Sequence, residues 1–138
     1  MVKFLSEQWF ETAKKIALKE LDPKKDLNNA STSLVNIINN VPPDGRTIYF
    51  YISVEEGNLL EFKLVQNNTL IEQNVEFVVS GNYDTFKQIF KGEMSIIIAL
   101  IKNRIEIKGD KKKALKYVKP IDRLSSCLRT IDTKYHES

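Results

Sequence analysis

The chain has 138 residues, 42% of them apolar and 28% charged, the balance of a globular protein and not of a disordered one. That length fits a single domain over residues 1–138, able to bury roughly two-thirds of its unfolded surface. A net charge of +3 is too mild for a dedicated nucleic-acid binder, and one cysteine, Cys127, excludes an internal disulfide.

The opening residues Met1–Glu7 lack the apolar core of a secretion signal, so a cytoplasmic location is expected and the glycosylation-like triplets at Asn29 and Asn67 carry no weight. Ser6 is placed to cap a first helix, with Leu5 and Phe10 at the positions of a hydrophobic staple. Trp9, Phe10, Ala13, Ile16, Ala17 and Leu21 form its apolar stripe, and Asp22-Pro23 stops it. The β-branched stretch Leu34–Ile38 favours a strand. Pro42–Gly45 reads as a turn. Thr47–Val54 alternates, with Ile48, Phe50, Ile52 and Val54 on one side and Tyr49, Tyr51 and Ser53 on the other. Glu55–Asn58 turns the chain into Leu60–Leu64, and a polar loop, Gln66–Thr69, leads to Val75–Val79. Such short connections predict an antiparallel sheet with one buried face.

From Gly81 the period becomes helical. Asn82 is placed to cap a helix carrying Tyr83, Phe86, Ile89 and Phe90 and closed by Gly92. A helix over Glu93–Lys102 follows, then a strand Arg104–Lys108, the turn Gly109-Asp110, and a helix Lys111–Lys119. Pro120 separates this from a final helix, about 121–133, in which Leu124, Cys127, Leu128 and Ile131 keep helical spacing.

No catalytic set emerges. His136, the only histidine, lies three residues from the end of the sequence, which argues against a nucleophile pair or a histidine metal site. Cys127 reads as a small core residue, the scattered glycines form no phosphate loop, and Glu55-Glu56 point apart on a turn. No cofactor and no metal are expected, and the protein is not expected to be an enzyme.

The run Met94–Ile101, interrupted only by Ser95, is far short of the roughly 20 residues that span a bilayer. As a helix it is apolar nearly all the way round, and such a helix must be covered on both sides. The final helix, a partner subunit or a ligand could each supply the second cover. Phe86, Ile89 and Phe90 upstream, Leu124, Leu128 and Ile131 downstream, and Phe50, Phe62 and Phe77 from the sheet would surround a large apolar volume suited to a lipid tail. Candidate lipid-binding residues are therefore Phe50, Phe62, Phe77, Phe86, Phe90, Leu124 and Leu128. Between Lys102 and Arg123 stand nine basic and three acidic residues. Lys111, Lys112 and Lys113 are either a solvated face capped by Asp110 or a site for an anion: a headgroup, a fatty-acid carboxylate or an acidic membrane surface. Nucleic acid is disfavoured as a partner, since Tyr117 is the one aromatic residue interleaved.

The ordered set Val78–Phe86 with its Gly81-Asn82-Tyr83, the Gly92-Glu93 junction, Ile105–Asp110 ending in Gly-Asp, and Lys113–Leu115 resembles the sterol carrier protein type 2 domain. Trp9-Phe10 and the hairpin at Gly57 fit the same pattern, and the resemblance spans roughly Phe4 to Ile131. It implies an α+β fold: a five-stranded, mainly antiparallel sheet with about five helices on one face, enclosing an apolar tunnel closed by the final helix. It also implies a non-catalytic carrier of a fatty acid, fatty acyl-CoA or other long lipid. The charged tail Lys134–Ser138 is not a peroxisomal-type ending. The resemblance also implies ligand contacts on the helix after Gly92-Glu93, at Met94, Ile97, Ile98 and Ile101. On this reading Ile97, Ile98 and Ile101 border the cavity while Ile96 and Leu100 meet protein, and the converse assignment of the two faces fits the family as well. The alternative is an interaction module, a homodimer for instance, whose apolar surface a partner closes.

Overall fold

The computed structural model describes residues 1–65 and 74–135, so the polar loop Gln66–Thr69 and His136 lie outside the described residues. Strand β1 (Val2–Lys3) is followed by helix α1 (Glu7–Glu20), the strands β2 (Thr32–Val41), β3 (Arg46–Glu55), β4 (Asn58–Val65) and β5 (Phe77–Asn82), and helices α2 (Tyr83–Lys91) and α3 (Ile96–Ile101). Strand β6 (Ile105–Lys108), helix α4 (Lys111–Leu128) and strand β7 (Thr133–Lys134) complete the order.

A five-stranded sheet runs β4-β3-β2-β5-β6. It is mixed: β2 and β5 are parallel, and the other three pairings are antiparallel. The register stacks inward side chains in rows across the sheet. Phe62, Ile52, Leu34 and Phe77 make one row, Leu64, Phe50, Asn36, Val79 and Ile107 the next, and Ile48, Ile38, Gly81 and Ile105 a third. Because strand side chains alternate, Tyr49 and Tyr51 fall on the opposite face, half-buried, as their spacing predicts.

Helix α1 covers the β4 side of the sheet and touches α4. Ser6 Oγ caps it, accepting from Trp9 N–H at 3.2 Å, and both staple residues, Leu5 and Phe10, are buried. Trp9 sits in an aromatic cluster, edge-on to Phe4, Phe10 and Phe90, and its indole N–H donates to Thr133 Oγ1 at 3.2 Å. In this way the chain's two ends, paired in parallel as β1 and β7, are fastened to the core. The β3–β4 turn uses Glu56 at φ 48° and Gly57 at φ 80°. A Cβ on Gly57 would stand 2.2 Å from the Pro23 carbonyl oxygen, so the turn is packed against the end of α1's exit loop.

The helical half departs from expectation in three ways. Asn82 occupies the N-cap of α2 but does not cap it with its side chain; its carboxamide oxygen accepts instead from Asn40 Nδ2 at 2.9 Å. Helix α3 is shorter than Glu93–Lys102, because Ser95 Oγ accepts from Ile98 N–H at 3.2 Å and starts the helix at Ile96. Lys111–Lys119 and the final helix are one continuous helix, α4, that carries Pro120 buried within it and ends at Leu128. Proline removes one backbone N–H and crowds the carbonyl four residues back, a cost of about 3 kcal/mol that burial of Pro120, Leu124, Cys127 and Leu128 offsets. Four helices therefore stand among the described residues in place of about five.

Candidate functional site

Between the inward face of the sheet and helices α2, α3 and α4 lies an apolar cavity of about 80 Å³. The sheet supplies Leu34, Asn36, Phe50, Ile52, Phe62, Phe77, Val79, Ile105 and Ile107. Helix α2 adds Phe86, Ile89 and Phe90, and α3 adds Ile96. Helix α4 lays a stripe of Ala114, Tyr117, Val118, Ile121, Leu124 and Ser125 along the other wall, residues three and four apart on one helix face.

Six of the residues expected to bind lipid line this space: Phe50, Phe62, Phe77, Phe86, Phe90 and Leu124. Leu128 belongs to the core beside it. Met94 borders a separate polar crevice of about 430 Å³ that also holds Ser95, Lys119, Asp122, Arg123 and Arg129. The expected orientation of α3 is reversed. Ile96 is buried and Ala99 wholly so, whereas Ile97, Ile98 and Ile101 are 39%, 40% and 69% exposed. Positions 96, 99 and 100 share a face, and the small Ala99 lets the helix sit down on its neighbours Ile89 and Ile105.

The lysine cluster also divides. Asp110 caps α4, its carboxylate accepting from the backbone N–H groups of Lys112 and Lys113 at 3.0 and 3.3 Å. Lys113 reaches across to pair with Glu76, whose carboxylate also accepts from the Thr32 hydroxyl at 2.5 Å. Burial pushes the Glu76 carboxyl up, but the hydrogen bonds from Lys113 and Thr32 outweigh it and hold the group below its usual range. Lys111 and Lys112 remain exposed, and Lys111 shares a surface groove with Leu100 and Leu115. Arg123 is committed to Asp26 (Nε to Oδ1, 2.9 Å), and Arg129 donates to the Ile89 carbonyl at the end of α2.

Cys127 faces α1, away from the cavity, and its burial raises the thiol's pKa. Among the described residues no group of histidine, cysteine or carboxylate side chains could hold a metal ion, and no helix is long and apolar enough to cross a membrane. Sequence reasoning missed Ile96, Asn36 and all of the α4 wall except Leu124. The repeat Ala114, Tyr117, Val118, Ile121, Leu124, Ser125 was available, but splitting the chain at Pro120 concealed it.

The SCP-2 sterol transfer family model matches residues 16–122. No curated protein matches the sequence. The fold is similar to that of a conserved hypothetical protein from Thermus thermophilus, offered there as a candidate sterol carrier protein. The two are 16% identical, with 97% of this chain and 93% of that one covered and a TM-score of 0.79. A sterol carrier protein 2 is 18% identical with a TM-score of 0.74, covering 94% of this chain and 99% of its own. A palmitated sterol carrier protein 2-like 2 from Aedes aegypti is 15% identical with a TM-score of 0.56, covering 98% of this chain and all (100%) of its own. These likenesses show the α+β fold, and the family match goes further: the chain belongs to the SCP-2 sterol transfer family, whose members are generally lipid carriers and not enzymes.

Proposed function

We propose that the protein is a non-catalytic carrier that holds one long apolar chain, such as a fatty acid or fatty acyl-CoA, between the sheet and helices α2, α3 and α4. The observation that carries this reading is the cavity, walled by aliphatic and aromatic side chains from every one of those elements. Each methylene transferred into it contributes about 0.8 kcal/mol, so a tail binds there with little help from hydrogen bonds. Pockets for whole ligands usually measure about 300–1,000 Å³, against about 80 Å³ here, so a wall must give way as a chain enters. Helix α3 is the slightest wall: six residues, with three isoleucines facing outward. Purified protein should carry lipid visible by native mass spectrometry and, once stripped, bind a fluorescent fatty acid at micromolar concentration. Neither bound lipid nor displaceable probe would overturn the reading.

A second element of the proposal concerns delivery. Ile97, Ile98 and Ile101, with Leu115 at 58% exposure, put large apolar side chains into water; Lys102 follows α3 directly, and Lys111, Lys112 and Lys116 stand exposed on the same helix as Leu115. Exposed apolar groups together with exposed cations suit transient docking on an acidic membrane surface, where each lysine near the surface contributes about 1 kcal/mol. Sedimentation with phosphatidylserine vesicles tests this. A tight dimer that falls apart on Ile98→Glu, with no lipid uptake in either form, would replace both readings by that of an interaction module.

A further inference from the structure

In the three central rows of the sheet's inward face Asn36 is the only polar side chain. It stands on the middle strand β2, flanked across the sheet by Phe50 and Val79 and along the strand by Leu34 and Ile38. It is 5% exposed and lines the cavity, and its Nδ2 has no hydrogen-bond partner. Of the other polar residues lining the cavity, Ser125 stands on α4, the Thr32 hydroxyl is engaged with Glu76, and the Tyr117 hydroxyl donates to the Ser31 carbonyl at 3.0 Å. A buried donor without an acceptor is unfavourable, and an apolar residue of similar size would fit the strand better. Such a group is retained where something else brings the acceptor.

Resting on the carrier reading above, we infer that Asn36 is a specificity residue: its carboxamide N–H donates to one uncharged oxygen, a keto or ester carbonyl, set within the apolar part of the ligand. An unsubstituted tail leaves that donor unpaired and binds less well. A carbonyl at the wrong depth is worse still, since both its oxygen and the carboxamide are then buried without partners. The site therefore measures position along the chain, with the headgroup left outside this contact.

The test uses stearate and a series of oxo-stearates with the keto group moved along the chain, each competing with a fluorescent fatty acid on the 138-residue protein. The wild type should prefer one or two adjacent keto positions over the rest by about tenfold, the worth of one net hydrogen bond. Asn36→Val should flatten the series and bind stearate at least as tightly, and Asn36→Leu should do the same. Both variants should melt no lower than wild type, because each removes an unpaired polar group. A flat series in the wild type, a preference that survives in both variants, or a lower melting temperature in both would overturn the inference while leaving the carrier reading intact. Failure of every chain to bind would instead remove the carrier reading and this inference with it.

Discussion

Replacing Val118 by phenylalanine sets stability and function against each other. Val118 projects from α4 into the cavity, where its larger substitute has about 80 Å³ to enter. At about 24 cal/mol per Å³, an unfilled space of that size destabilises the fold by about 2 kcal/mol. Filling part of it should recover up to about 1–2 kcal/mol, less whatever strain the new ring meets in its rotamer. In a domain of this length 1 kcal/mol corresponds to about 4 °C in Tm. Urea unfolding followed by the fluorescence of Trp9, the only tryptophan and 1% exposed, reports the stability directly. Saturating the wild type with fatty acid at about 100 times Kd should add about 2.7 kcal/mol, and the variant should show none of it. Val118→Phe should thus be as stable as the wild type or more so, and empty. A variant that unfolds more readily yet takes up lipid as before would refute the assignment of this space as the binding site.

Other substitutions probe the frame and the surface. Gly57→Ala places a side chain at φ 80° and against the Pro23 carbonyl, and should destabilise by about 3 kcal/mol in urea titrations without changing lipid specificity. The double substitution Ile98→Glu with Ile101→Glu should leave fatty-acid binding in solution within about twofold of wild type, while cosedimentation with acidic vesicles falls by about tenfold or more. Unchanged cosedimentation would remove α3 from the membrane contact. Glu76→Gln tests the pair with Lys113. Since the folded-state pKa of Glu76 is depressed, its contribution is complete above the unfolded value of 4.5 and is lost as pH falls through the folded value. For Lys113 the folded pKa is raised, so its share holds below 10.5 and is lost as pH rises through the folded value. Tm of the wild type should therefore fall below pH 4.5 more steeply than that of Glu76→Gln; parallel curves would show that the pair contributes nothing.

Local chemistry made much of this fold readable. The Ser6 cap, the alternation of Thr47–Val54 and the turn at Gly57 each depend on a few adjacent residues, and each appears where the sequence places it. The family pattern led from those elements to the cavity's aromatic half. What stayed hidden depends on partners distant in sequence. Asn36 sits in an apolar stretch, Leu34–Ile38, whose inward set is decided by register with Phe50 and Val79. Glu76 claims Lys113 across 37 residues, which no charge count can foresee. The six-residue α3 is apolar on every side, so its composition could not say which face turns inward; packing of Ile96 and Ala99 against Ile89 and Ile105 decided that.

The parallel pairing of β2 with β5 also bears on how the protein comes to be made. The β3–β4 hairpin can close through near neighbours, but β2 and β5 must meet across the 35 residues between Val41 and Phe77, and such non-local contacts form late. The cavity needs more still: its walls run from Thr32 to Ser125, nearly the length of the chain. A ribosome that has released the chain through β6 has made the sheet and helices α1, α2 and α3 but not the α4 wall, so the apolar lining stays open on that side to any other apolar surface nearby. The cavity is therefore completed late in the life of the molecule, and its closure competes with aggregation until α4 settles into place.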